Sequence, residues 1–373
     1  MFKKALCGTA TLLLAITLVQ AEGPDVSFSG YLDSDVWTDF EGNFYTNDEL
    51  DLGLNVAFSE KISADVFVTI LTSNAPSGRG SIPAGDGHPA ERWVSVAFDG
   101  VGINYESDFG TFTVGDLVYQ YGGFNYYFYK RLSMITPENF TRGVQYSIGS
   151  DAFTQTVLVG VTDMSGSSGD IIGASEFAFS QELGLALYYG VRGEVVGGFG
   201  YGSDLFAGTE FNGSFGEAIS VKLDIGFQNF ATVDDSGMTI MDGDDPKRFS
   251  TIALLLEPGL SLDKLSTALS VYYVVDPDES GHYPGADEQF FAYVEPGFAF
   301  TDVFALGLPL EVHSGGLAED LVDTGEFWVV PTGYIYPFEK VEWWIWAGGY
   351  FPFDADIGGD PYYALGSEII VNF

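Results

Sequence analysis

One pattern constrains this chain more than any other: apolar residues recur at every second position, from the first third of the sequence to its last residue. Leu50, Leu52, Leu54, Val56 and Phe58 alternate with Asp51, Gly53, Asn55, Ala57 and Ser59. Leu185, Leu187, Tyr189 and Val191 do the same, as do Ile219, Val221, Leu223, Ile225 and Phe227. The closing residues, Tyr362 to Phe373, keep the period, with Tyr363, Leu365, Ile369, Val371 and Phe373 on one face. Successive side chains on a strand point to opposite faces, so period two specifies β-structure with two different sides. Past the first residues no apolar run approaches the ~18 residues of a membrane helix. If the chain sits in a membrane, it does so as a closed barrel, the one sheet form without unpaired edges.

The first residues, MFKKALCGTATLLLAITLVQA, read as an export leader. Lys3 and Lys4 precede a short apolar run, and Val19-Gln20-Ala21 is a small-residue cleavage site, which divides the chain into a signal peptide, 1–21, and a mature part, 22–373. Cys7 is the only cysteine and precedes the apolar run, where a lipid-attachment cysteine would follow it. The mature part therefore has neither a disulfide framework nor a thiol nucleophile. A net charge of −39 rules out the basic surface that nucleic acid requires, while 16% aromatic residues set the chain apart from acidic disordered proteins.

Read in order, the alternation gives strands over 26–37, 50–59, 62–72, 92–106, 111–119, 142–149, 152–162, 172–180, 183–194, 204–212, 218–230, 249–261, 265–275, 289–300, 304–313, 326–336, 341–351 and 362–373. The expectation is an all-β, transmembrane antiparallel barrel of about 18 strands, with 16 as the alternative. Tight turns such as Glu60-Lys61 and Gln181-Glu182 alternate with long loops such as 73–91 and 120–141. Both chain ends fall on the short-turn side, as closure requires. The phase slips near Asp99-Gly100, which predicts a bulge or an extra turn. Pro309 and Pro331 fall inside strands, where a ladder donor is lost. Glu257-Pro258-Gly259 and Glu295-Pro296-Gly297 echo each other before tight turns and read as two hairpins of similar chemistry. A soluble sandwich produces the same alternation; the even count, the loop asymmetry and the terminal Phe373 separate the two.

On these residues the chain resembles a known family. A terminal Phe373 preceded by Val371 and Ile369 is similar to the assembly signal of Gram-negative outer-membrane barrels. DFGTFTVGD (Asp108 to Asp116), a long loop with PENF, then TRGVQYSIG (Thr141 to Gly149) resembles bacterial porins around their third loop. The resemblance implies an integral outer-membrane location, contact with lipid and lipopolysaccharide, insertion by the barrel assembly machinery, a homotrimer, and a third loop folded inward to narrow the pore. The chain departs from the pattern at Val114-Gly115-Asp116, where many porins have Val-Gly-Arg, so one basic wall residue is missing.

A barrel of this size leaves an aqueous lumen, and the expected activity is passive diffusion of small hydrophilic solutes, sugars among the candidates. Loop 119–141 is the candidate constriction. Lys130, Arg131, Glu138 and Arg142 belong to it or flank it, and Arg92 and Arg192 phase toward the lumen. Opposed charges there would order water and polar solutes. In VEWWIWAGGYF, Trp344, Trp346 and Tyr350 form the inward set, suited to stacking on sugar faces; a one-residue slip would make them lipid-side girdle residues instead. The outer loops are acidic at Asp234–Pro246, Asp276–Gly281 and Asp354–Asp360. Their carboxylates suit solvated surface or a weak Ca²⁺ site, match no complete calcium loop, and predict mild cation preference. No other cofactor or metal is expected. His88, His282 and His313 form no triad spacing with a nucleophile, so the chain is read as a non-enzyme. The alternative is a structural or adhesive outer-membrane barrel without an open pore.

Overall fold

A computed structural model describes residues 24–73, 93–118, 123–124, 132–133, 140–161, 168–194, 204–231, 240–243, 245–275, 290–314, 325–354 and 360–373. Eighteen antiparallel strands form one closed sheet. They are β1 (Asp25–Thr38), β2 (Phe44–Ser59), β3 (Ile62–Ser73), β4 (Trp93–Ser107), β5 (Gly110–Val118), β6 (Phe140–Ser150), β7 (Phe153–Val161), β8 (Ser168–Ala178) and β9 (Leu183–Glu194). The second half holds β10 (Asp204–Phe215), β11 (Ile219–Ala231), β12 (Arg248–Leu262), β13 (Leu265–Val275), β14 (Phe290–Ala299), β15 (Phe304–Gly307 and Leu310–Ser314), β16 (Glu326–Val329 and Thr332–Phe338), β17 (Val341–Pro352) and β18 (Tyr362–Asn372). Each strand pairs with the next, and β18 returns to β1 from Tyr31↔Asn372 to Thr38↔Leu365. Eighteen, not sixteen, is the strand number. Connections of two to four residues at one end alternate with connections of five to twenty-one at the other.

The outward face is apolar. Val96, Phe98, Ile103, Val114, Val144 and Val159 project from adjoining strands and are exposed to the barrel's surroundings. On β2 the apolar set runs from Leu50 to Phe58, roughly nine residues, the length a tilted strand needs to cross hydrocarbon. Above it the outward face turns polar: Ser34 and Thr72 donate to Asp48 at 2.6 and 2.7 Å. This explains why β2 begins at Phe44, six residues before the alternation suggests. Beyond the apolar belt both faces are polar, and period two leaves no trace in hydropathy.

The closing seam extends to Phe373. Phe373 N donates to Gly30 O and Gly30 N to Phe373 O, both at 3.0 Å. The Phe373 ring lies over Gly30, in space that a Cβ at residue 30 would fill. The phase slip in β4 is a bulge: Phe67 pairs with Gly100 and Val68 with Phe98, leaving Asp99 as the extra residue, with Gly100 at φ +140. Pro309 and Pro331 interrupt β15 and β16 as their missing donors require, yet their carbonyls still accept from Val330 at 2.9 Å and Ala347 at 3.2 Å.

The β1–β2 connection is held by one carboxylate. Asp39 accepts from the Glu41 and Asn43 amides at 2.9 and 3.2 Å, from the Asn43 side chain at 2.5 Å and from the Tyr45 hydroxyl at 3.2 Å. Partial burial alone would raise its pKa, but these donors together hold it below the usual aspartate value.

The barrel lumen as candidate functional site

Alternation along β1, β2, β3 and β18 places carboxylates on the inward face. Asp33 stands opposite Glu49 and Asp35 opposite Glu368. Asp33, Asp35 and Glu49 are buried, and Asp33, Asp35 and Glu368 can each offer an oxygen within 4.8 Å of the others. Tyr31 OH donates to Asp33 at 3.0 Å. Further along the wall, Asp51 accepts from Thr69 at 2.6 Å, and Asp65 from Asn55 and Asn104 at 2.7 and 2.6 Å. Neutral amides and hydroxyls hold these two charges without cancelling them, so negative potential is retained in the lumen. The sequence reading sought acidic clusters in the outer loops and missed this one. Its members come from the two ends of the chain and meet only on closure.

Half a circumference away, β8 to β12 carry the two inward basic residues among those described, and both are matched by acids. Arg192 makes a two-pronged pair with Asp170, Nε–Oδ1 2.7 Å and NH2–Oδ2 2.8 Å. Asp170 is wholly buried and also accepts from Thr141 at 3.2 Å. Lys222 lies 3.9 Å from Glu210 and 3.6 Å from Glu257, which accepts from Ser270 at 2.9 Å. Tyr188 reaches across Gly208, where a Cβ would collide with its ring, and donates to Asp224 on the strand beyond. Beside it Leu117, Leu158, Ile172 and Phe206 join Tyr188 in an apolar cluster on the inward face.

The aromatic residues of β17 take the inward phase. Trp343 and Ile345 are exposed on the outer face, whereas Trp344 and Trp346 point inward and are half-buried. The three candidates for stacking do not form one ladder. Trp346 packs with Trp37, Tyr45, Val330, Ala364, Trp328 and Tyr362, its ring seated over Gly366. Tyr350 meets Trp328 with ring centroids 4.7 Å apart. Trp344 belongs to a separate group nearer the short turns, edge-on to Tyr334 at 5.3 Å, with its indole nitrogen donating to Glu342 at 3.1 Å.

Of the charged candidates, Arg192 is on the lumen face. Arg142 is not, which corrects its placement at the constriction. Thr141, its neighbour, is the inward residue, so Arg142 shares the outer face with Val144 and pairs there with Asp116 at 2.7 and 2.8 Å. The same Asp116 replaces the basic residue of the porin pattern, and it accepts from the Val101 amide at 3.0 Å beside the Gly100 bulge. Arg92, Lys130, Arg131 and Glu138 lie outside the described residues, as do His88, His282 and most of loop 119–141, of which the pair Gly123–Phe124 with Leu132–Ser133 is described. His313 is buried on β15 against Glu311 and Phe291.

A closed eighteen-stranded barrel with an apolar outer belt and a charged interior is a transmembrane barrel of the outer-membrane type. Comparison with solved structures narrows the fold to that of porins. The chain is similar to Pseudomonas aeruginosa OpdK, solved with vanillate, at TM-score 0.57 and 9% identity over 94% of this chain and 98% of that one. It is similar to OprD of the same organism at TM-score 0.56 and 10% identity over 95% and 97%, and to OpdL at TM-score 0.56 and 11% identity over 94% and 98%. No family model matches the chain, and no curated protein matches it in sequence.

Proposed function

We propose that this protein is an outer-membrane channel for passive diffusion of small hydrophilic solutes, which favours cations and neutral saccharides over anions. The observation that carries the reading is the asymmetry of the lumen: on the β18–β3 wall Asp51 and Asp65 are held by neutral amides and hydroxyls, while Arg192 and Lys222 opposite are matched by Asp170, Glu210 and Glu257. The net field along such a lumen draws cations in and repels anions. Inward aromatic rings add platforms for the flat apolar faces of sugar rings. Arg192, Trp344, Trp346 and Tyr350 are its proposed solute contacts; Phe373, Val371 and Ile369 its proposed assembly signal; lipopolysaccharide, the assembly machinery and two further copies its proposed partners.

The test is single-channel conductance in planar bilayers, with reversal potential under a salt gradient. Stable openings with a cation-biased reversal are expected. Silence from folded, heat-modifiable protein would sink the channel reading. It would favour a structural barrel, a reading that the buried inward clusters around Leu255 and Tyr272, Trp37 and Tyr45, and Leu158 and Tyr188 support.

A further inference from the structure

The short-turn end of the lumen contains a cavity of about 650 Å³ between the β10–β11 turn and β17. Its floor is made of small residues with hydroxyls laid over them. A Cβ at Gly259 would collide with Ser220 Oγ, and one at Gly297 would meet Ser266 Oγ at 2.5 Å. The glycines therefore let two serine hydroxyls lie flat across the neighbouring strands. The wall is Glu295, whose two oxygens accept from Tyr334 OH and Tyr293 OH, each at 2.5 Å. Each carboxylate oxygen can accept a second hydrogen bond. Behind Glu295 stand the rings of Tyr334, Tyr336 and Trp344, all lining the same space.

We propose that this cavity is a saccharide-binding site at the periplasmic mouth, for a neutral hexose or disaccharide. A pyranose offers a flat apolar face and a rim of hydroxyls that both donate and accept. The cavity offers aromatic rings, a half-buried carboxylate acceptor and serine hydroxyls, within the size range of small-molecule sites. Glu295 disfavours anionic solutes there. The sequence echo of Glu257-Pro258-Gly259 and Glu295-Pro296-Gly297 gains a meaning: each repeat supplies an inward glutamate followed by a floor glycine. The inference rests on the channel reading for the way in, but the site itself is testable at equilibrium.

The experiment titrates glucose and maltose into the folded full-length protein in detergent, by calorimetry and saturation-transfer NMR. In parallel, sugar is added to each side of the bilayer. Saturable binding is expected, together with current block at lower sugar concentration from the periplasmic side. Glu295→Gln is expected to weaken binding about fivefold, as for loss of a charge-assisted hydrogen bond, and Gly297→Val to abolish it. Thr156→Ala, on β7 and outside the cavity, should leave it unchanged. Absence of saturable sugar binding overturns the proposal, as does binding that tracks Trp346 and ignores Glu295. A quaternary ammonium ion that binds where sugars do not also overturns it. If Gly297→Val does not fold, Glu295→Gln and Tyr336→Ala decide alone. A conducting pore that binds no sugar refutes the site and leaves the channel reading intact. Binding to a silent barrel refutes the channel and leaves the site.

Discussion

The wall from β18 to β3 and the wall from β8 to β12 obey the same alternation and face the same lumen, yet they are built on different principles. On the first, Asp51 and Asp65 are held by Thr69, Asn55 and Asn104, neutral donors that keep the charge while ordering it. On the second, Arg192 and Lys222 sit among acids, and Tyr188, Ile172 and Phe206 pack as a core would. One wall is an electrostatic surface and the other a load of packed side chains that happens to face inward. Selectivity and stability should therefore separate by wall.

The largest expected effect is on the packed wall. Asp170→Ala removes the buried partner of Arg192 and should cost about 3 kcal/mol, at the low end for a broken buried pair because Arg192 retains some contact with water. The fall in the urea midpoint for loss of heat-modifiable folded barrel measures it. Next comes Asp51→Asn with Asp65→Asn on the acidic wall. This pair should reduce cation-over-anion permeability several-fold with little loss of stability, read as a reversal potential moving toward zero. If stability collapses instead, the two walls do not differ as described. Gly208→Val should displace the Tyr188 ring from Asp224 and cost about 2 kcal/mol, as overpacking does; Tyr188→Phe, which keeps the ring, should cost less. The smallest effect belongs to the rim. Asp39→Asn should lose about 1 kcal/mol of local stability at neutral pH. Because the folded pKa of Asp39 is depressed, that contribution is present above the ordinary aspartate value and fades as pH falls through the lower folded one. Hydrogen exchange of the Glu41 and Asn43 amides in wild type and variant should converge in acid.

The barrel was legible because lipid demands apolar residues at every second place, and that demand is written locally. The phase slip at Asp99 and the breaks at Pro309 and Pro331 could be read for the same reason; the β17 phase could not, because both of its faces carry aromatic residues. What closure creates could not. Asp35 and Glu368 are neighbours through a seam that joins the two ends of the sequence. Arg142 was misplaced because a basic residue near a loop looks like a pore residue, while the aspartate that draws it to the outer face lies 26 positions earlier. The division of Trp344 from Trp346 depends on Gly366 of the next strand, which the Trp346 ring covers, a matter of register between strands and not of pattern within one.

Such glycines have a mechanical side. Tyr188 crosses Gly208 to grip Asp224, and Glu295 and Tyr334 meet over Gly307, so in both cases strands two apart are tied through a strand that contributes only backbone. Backbone ladders tie nearest neighbours and hinge easily along each strand axis. A stitch that skips a strand resists bending at that hinge. The cross-section of this barrel should accordingly be stiff at β9–β11 and β14–β16, and its breathing concentrated elsewhere on the circumference. Each stitch also couples three positions, so the glycine and the ring above it can change only together.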